Sequence, residues 1–275
     1  MPFFPRQRTG SVLCPSCRRL VGVNDEVCYN CGRKNPGMWG FATAFNRFGV
    51  NFGFEQAVIG GTLFLYLATL VATGTPQGSG LNFLAPAPLV LERFGASGGY
   101  PVFGLGRWWT LLSAGWLHAG LLHIFFNILW VRQLAPQTAE LYGAARMVIL
   151  YTLSSITGFL LSSVVHFNNP LHFTVGASAP IFGLLGALVG YGRRTGSSAI
   201  GSQAWTYALL LFVFGFVFGG GVDNWAHAGG FVGGYLGSLW LDPRRDELPG
   251  HRILAMTCLV LTLLSVVASI VIPIR

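Results

Sequence analysis

Charge is scarce in this chain. Only 9% of its 275 residues are Asp, Glu, Lys or Arg, against about a quarter in ordinary globular domains, and that excludes the well-solvated surface of a soluble core. No His-Glu-x-x-His occurs, which excludes the helix motif of zinc peptidases. The first forty residues contain no apolar h-region, so no signal peptide is read there and a cytoplasmic N-terminus is expected.

Apolar length is what the chain has instead. Hydrophobic residues make up 52% of it. Uncharged stretches of about the length needed to cross a hydrocarbon core recur at 57–73, 108–131, 147–167, 173–192, 203–222, 224–241 and 253–273. Seven spans are predicted. The formal charge of +8 raises the question of nucleic acid, and the position of the cations answers it. With the N-terminus inside, Arg6, Arg8, Arg18, Arg19, Arg33, Lys34, Arg47, Arg132, Arg146, Arg193, Arg194, Arg244, Arg245 and Arg252 are cytoplasmic; only Arg93, Arg107 and Arg275 fall outside. This positive-inside bias orients the chain, puts the C-terminus outside and leaves nucleic-acid binding unnecessary.

Residues 14–31, CPSCRRLVGVNDEVCYNC, form two Cys-x-x-Cys knuckles ten residues apart. Four thiolates at that spacing, Cys14, Cys17, Cys28 and Cys31, suit one tetrahedral zinc ion, and a reducing compartment disfavours disulfides between them. No thioredoxin-like pattern surrounds the knuckles. So short a segment cannot bury a core, so the metal is expected to supply its folding free energy. We read 1–37 as a cytoplasmic zinc ribbon with a docking or regulatory role toward a cytoplasmic partner, 38–56 as an interfacial linker, and 57–275 as the transmembrane domain. The loop 74–107 holds LNFLAPAPLVLERF, too apolar to float in water, and is expected to lie against the membrane. The fifth cysteine, Cys258, reads as a packing residue in the last span.

Polar groups inside spans are expensive, so each needs a partner or a task. The second span carries His118, His123 and Asn127, the fourth begins with Ser178, and the sixth carries His227 just after Asp223 and Asn224. His123 and Asn127 are four apart and share a helix face. All three spans run inward, which brings these groups to one layer near the outer surface. A serine and a histidine at matched depth can form a nucleophile and its base, and His123 and Asn127 can supply donors to an oxyanion. Taken singly, each is a common packing residue; their joint placement is the signal. Small residues at Gly183, Gly186 and Gly190 and at Gly230, Gly234 and Gly237 would let the fourth and sixth spans approach closely.

GASAPIFG, HAGLLHIFFN and AHAGGFVGG resemble, in order, the nucleophile, oxyanion and base motifs of the rhomboid family of intramembrane serine proteases. The resemblance covers roughly residues 57–242. It implies an all-α polytopic fold: a rhomboid-like six-helix bundle plus a C-terminal seventh transmembrane helix, here preceded by the ribbon. It further implies Ser178 as nucleophile and His227 as base with no third acid, and an oxyanion hole from His123, Asn127 and the Ser178 amide, with Phe182 stacked on the base. Catalysis would need no cofactor. Single-span membrane proteins in the lipid bilayer are the implied substrates, cut near the outer face, and a bacterial inner membrane is the expected location. Two departures stand out: Ala179 and then Pro180 follow the serine where the family has Gly, so a methyl could crowd the oxyanion hole, and Thr110 replaces an Arg that usually follows Trp. Asp223 reads as a helix cap rather than a triad acid. The competing readings are a catalytically silent rhomboid-like protein that binds transmembrane segments and a transporter, which would need charged or broken helices at midplane depth.

Overall fold

The two Cys-x-x-Cys knuckles each close by the same device. The N–H of Cys14 donates to the Arg19 carbonyl (2.9 Å) and that of Cys28 to the Arg33 carbonyl (2.8 Å). The computed structural model describes residues 6–17, 19–42, 53–75, 78, 83–217 and 221–272. It comprises two compact units, Met1–Gly53 and Phe54–Arg275. Most of the expected linker (43–52), parts of the outside loop (76, 77 and 79–82), the ends of the fifth and seventh spans (218–220 and 273) and the cations Arg18, Arg47 and Arg275 lie outside the described residues.

In the first unit, β1 (Ser11–Leu13) pairs antiparallel with β2 (Leu20–Gly22), Val12 opposite Val21. Val12, Val21, Val23 and Ala42 bury themselves around Cys14 and Cys28. That is a very small core, in keeping with a segment stapled by its cysteines.

Among the described residues the second unit has seven long helices: α1 (Phe54–Thr73), α2 (Leu121–Tyr142), α3 (Ala144–Val165), α4 (Ser178–Thr195), α5 (Ser198–Val217), α6 (Asn224–Trp240) and α7 (Pro249–Val271). Of these, α1, α3, α5 and α7 are long and apolar enough to cross a membrane, and α2 joins them if it is counted with the bent segment Thr110–Trp116 before it. This makes the chain an integral membrane protein. The helices α4 and α6 do not reach that length and hydropathy because they lie inside the bundle. Every residue of α4 from Ala179 to Leu188 is buried, packed against α2, α3, α5 and α6. A helix enclosed by helices needs small residues for contact more than it needs lipophilic ones.

The second span needs correction. The reading 108–131 merges two pieces that meet at 97°. The chain makes a turn at Thr110–Ser113 and a 3₁₀ turn at Ala114–Trp116, runs extended through Gly120 (φ 170, ψ 169), and only then starts α2. The first piece is apolar because Thr110, Leu111, Ser113 and Ala114 are buried within the unit; hydropathy reports burial and carries no information about direction. As a result α2 continues to Tyr142, and Arg132, expected in a loop, sits within it, 3.9 Å from Glu55. His118 falls in the break rather than on a helix.

The loop before α2 packs against the rest of the unit. It forms a two-turn helix, Pro88–Phe94, with Pro88 in the first turn and left-handed Gly95 (φ 107) at its end. Leu91 and Ala96 are buried with Leu65 and Leu117. Arg107, 3% exposed, donates to the carbonyls of Glu92 (3.0 Å) and Ser269 (3.2 Å), tying this loop to α7. Thr110 Oγ1 in turn donates to the Arg107 carbonyl (2.8 Å). Where Thr110 stands in place of an Arg, the loop is thus anchored by an arginine three residues earlier. Arg107→Met should lower stability by about 1–3 kcal/mol, because the buried Ser269 carbonyl loses this donor and the Glu92 carbonyl keeps only the Gly95 N–H; thermal unfolding in detergent measures it.

Candidate active site

Ser178 is the first residue of α4, and the segment that delivers it is fixed from both sides. Ser97 and Thr174 exchange backbone hydrogen bonds (3.1 and 2.7 Å), and the Gly176 N–H donates to the Ala114 carbonyl (2.9 Å). Gly176 holds φ +125, and a Cβ there would lie 2.6 Å from His123 Nε2 and 3.7 Å from Ser178 Oγ. Only glycine satisfies both the conformation and the space, and the contact shows that the imidazole and the hydroxyl flank one point.

The partner of Ser178 arrives on α6. Asp223 caps this helix, its side chain accepting from the N–H groups of Trp225 and Ala226 (both 3.0 Å). One turn in, His227 Nε2 lies 2.9 Å from Ser178 Oγ. Phe182, one turn after the serine, stacks on the imidazole with ring centroids 4.2 Å apart and planes 14° apart. The other Asp223 oxygen is taken by Ser162 Oγ and faces His172 Nε2 at 3.5 Å, while His227 Nδ1 has no partner among the described residues. Asp223 is therefore a cap and not a third member of a triad. Its burial favours the neutral acid, but hydrogen bonds from His172, Ser162 and the Ala226 N–H outweigh this and hold its carboxyl well below the usual carboxylate range.

The approach of α4 to α6 is close enough to exclude side chains. A Cβ on Gly230 would sit 2.1 Å from the Ala179 carbonyl oxygen, and one on Gly234 would sit 1.9 Å from that of Gly183. Gly186 and Gly190 meet the Phe231 carbonyl and Ser238 in the same way. Gly237 differs from the sequence reading: it faces Leu150 and Leu153 of α3. The methyl of Ala179 is fully buried with Val102, Phe159 and Ala226, against the space left by Gly158, so it is absorbed by packing with α3 and α6. Sequence reasoning assigns no role at the site to Gly158 or Arg107, and Gly176 enters it only as the first residue of the nucleophile motif.

His123 and Asn127 keep their helical spacing in the first turns of α2. The Ala119 N–H donates to His123 Nδ1 (3.3 Å), which leaves Nε2 as the protonated nitrogen, on the side of Gly176 and Ser178. Asn127 Nδ2 donates one hydrogen to the His123 carbonyl (2.8 Å) and retains a second. His227 and Phe182 are buried, whereas Ser178 and His123 are partly exposed. A hydroxyl, an imidazole acceptor on one side and an N–H donor on another can together support attack on a carbonyl and hold the resulting negative oxygen.

The Rhomboid domain family model matches residues 105–244, about half of the chain, and contains all of these side chains. The chain belongs to the rhomboid family. RHOMBOID-like protein 1 of Arabidopsis thaliana is 34% identical over 157 residues, covering 56% of this chain and 39% of the relative. Rhomboid protease GluP of Bacillus subtilis (strain 168) is 32% identical over 158 residues, covering 56% and 30%. Rhomboid-like protease 2 of Toxoplasma gondii is 32% identical over 193 residues, covering 67% and 64%. The chain thus spans only part of the length of the curated rhomboids it matches.

The ribbon unit holds a separate candidate metal centre. The sulfur atoms of Cys14 and Cys31 are 3.8 Å apart, those of Cys17 and Cys28 are 3.6 Å apart, and all four lie within 4.8 Å of one another. A tetrahedral ion with metal–sulfur bonds of about 2.3 Å needs sulfurs roughly 3.8 Å apart, so the residues fit. The Arg19 N–H draws the Cys17 thiol down to about 6. At Cys31 the Arg33 N–H favours the thiolate, but partial desolvation and the neighbouring thiols outweigh it and push the group up to about 12. A cation relieves that competition between crowded thiolates.

Proposed function

We propose that the chain is an intramembrane serine endopeptidase that cleaves transmembrane-segment substrates near the outer face through a Ser178–His227 dyad. The observation that carries this reading is the 2.9 Å separation of Ser178 Oγ and His227 Nε2, with Phe182 stacked beneath the imidazole. The Ser178 hydroxyl donates to Nε2, which takes its proton as Oγ attacks the scissile carbonyl; the same proton then passes to the leaving amine, and water repeats the cycle on the acyl-enzyme. The His123 Nε2–H, the free hydrogen of Asn127 and the Ser178 amide face the developing oxyanion. Relatives named as proteases, in Bacillus subtilis and Toxoplasma gondii, support an enzyme over a silent binder of transmembrane segments. The positive-inside distribution supports a cytoplasmic N-terminus, an outside C-terminus and a site near the outer face; a bacterial inner membrane is the location we propose. The deciding experiment incubates detergent-solubilised protein with a generic single-span substrate beside the Ser178→Ala variant.

Asn127→Ala should reduce turnover by roughly tenfold to a thousandfold with little change in apparent substrate affinity, the loss expected for one oxyanion donor. Initial rates over a substrate series check it. A changed affinity at unchanged turnover would make Asn127 a substrate contact instead.

For the ribbon we propose one structural zinc held by Cys14, Cys17, Cys28 and Cys31, with no part in the chemistry. The cytoplasmic N-terminus of the proposed topology suits docking of a cytoplasmic partner by residues 1–37. Elemental analysis should find this zinc in the purified protein and not in a Cys14→Ser, Cys17→Ser double variant, while proteolysis in detergent stays within about twofold.

A further inference from the structure

A second group of metal-ligating side chains lies outside the serine site. The turns after α3 are closed in sequence, Asn169 N–H donating to the His166 carbonyl (3.0 Å) and His172 N–H to the Asn169 carbonyl (3.2 Å). They fold the chain back so that the imidazoles of His166 and His172 lie face to face, with centroids 3.6 Å apart. The turn is held against residues 98 and 99, where glycines are required: a Cβ at either would come within 2.4 Å of the His172 or His166 carbonyl oxygen. Asp223 reaches the same place from the cap of α6, its Oδ2 3.5 Å from His172 Nε2.

We infer that His166, His172 and Asp223 form a binding site for a divalent transition-metal ion of the zinc class. One donor atom from each of the three lies within 4.8 Å of the others, and two imidazoles with one carboxylate are a donor set that zinc accepts in tetrahedral sites, with a fourth position for water. Such an ion needs donor atoms about 3.3 Å apart; the His172–Asp223 pair is nearly there at 3.5 Å, and binding requires the two stacked rings to part and turn edge-on to the ion. The division of labour within the site suits a ligand. Asp223 Oδ1 is committed to the α6 cap and Oδ2 is turned to the histidines, so an ion can bind without opening the helix end. His166 Nδ1 lies 3.0 Å from the Ser162 carbonyl, the kind of outer contact that fixes the tautomer of a ligating histidine and leaves Nε2 with its lone pair. Ser162 Oγ, on the carboxylate, is a second outer partner. Among the described residues Asp223 has no Lys or Arg ion-pair partner, and its nearly buried carboxylate lies beside a His172 side chain that is 25% exposed, so an ion has both a charge to neutralise and a way in past the imidazole. Bound there, it clips the connection leading to Ser178 to the cap of the helix that carries His227.

The test uses the full chain with Cys14→Ser and Cys17→Ser, which removes the ribbon site. Zn²⁺ titrated in detergent against a chelating indicator should give one saturable equivalent and raise the unfolding temperature. Co²⁺ should give d–d absorption without thiolate charge transfer. His172→Ala should weaken Zn²⁺ binding at least tenfold and abolish the thermal shift. Asp223→Asn, which keeps a cap oxygen, should weaken binding likewise; its metal-free unfolding temperature falls with the loss of the carboxylate charge, so the reading is the size of the Zn²⁺-induced shift above each variant's own metal-free value. The cysteine-intact protein, already loaded with one zinc, should take up a second equivalent. Absence of saturable binding, binding unchanged in His172→Ala, or cobalt spectra showing only thiolate ligands would overturn the assignment. Because these are binding and stability measurements, their outcome is independent of whether the protein cleaves a substrate.

Discussion

Ser178→Ala and His227→Ala should each bring proteolysis to background, a loss of about 10⁴-fold or more, and the double variant should lose no more than either single one. The two groups lie 2.9 Å apart and perform one proton transfer, so removing either removes the whole step; units of this kind are strongly non-additive. Neither change disturbs the fold much. Among the described residues Ser178 Oγ is hydrogen-bonded to His227, and Ala at the first position of α4 keeps its backbone. A fluorophosphonate should label the wild-type protein and the Asn127→Ala variant at Ser178 but not His227→Ala, since the reagent needs an activated hydroxyl rather than a bound substrate. Retained cleavage in either single variant would place the chemistry elsewhere, whereas labelling without cleavage of any transmembrane substrate would point to a different substrate class.

What is legible in the sequence follows from the range over which each signal acts. Spacings of three and four residues along one helix are local, so His123 with Asn127 and Asp223 with its cap can be placed from the order of residues alone, whereas Phe182 is placed at the base only by the family resemblance. The joining of His227 to Ser178 is not local, and in the sequence it rests on two indirect signals: matched depth in the bundle and glycine runs on both helices. The start of α2 is misplaced by hydropathy because a buried turn, TLLSAGW, is as apolar as a span, and the bend of 97° leaves no trace in composition. Arg107 reads as a charge outside the membrane; its two carbonyl partners, Glu92 and Ser269, lie 15 and 162 residues away, and no window joins them. The His166–His172–Asp223 group is hidden for the same reason, and because Asp223 already has a sufficient explanation as a cap. Gly237 shows the converse error: a regular small-residue spacing suggests one interface, although α6 touches α3 as well as α4.

Gly234→Val should be the most damaging single change in the bundle. A Cβ at this position would stand 1.9 Å from the Gly183 carbonyl oxygen and 2.6 Å from its Cα, so the obstacle is backbone and no rotamer can move it aside. Overpacking against adaptable side chains typically costs about 1–3 kcal/mol; here α4 and α6 must separate, which breaks the packing that places Ser178 against His227, and the cost should exceed that range. We expect poor recovery of folded protein in detergent and, in whatever fraction survives, loss of fluorophosphonate labelling. Gly237→Ala, one turn further along α6, is the control. Its Cβ would lie 3.0 Å from the terminal methyls of Leu150 and Leu153, which can shift by a few tenths of an ångström, and alanine favours a helix over glycine by about 1 kcal/mol. That variant should unfold within a few degrees of the wild type and keep its labelling. If Gly234→Val were to fold normally and react with the probe, the close α4–α6 contact would not be what holds the serine on its histidine; if Gly237→Ala failed as badly as Gly234→Val, the α3 face of α6 would be as unforgiving as the α4 face, and the distinction between backbone and side-chain neighbours would not govern tolerance in this bundle.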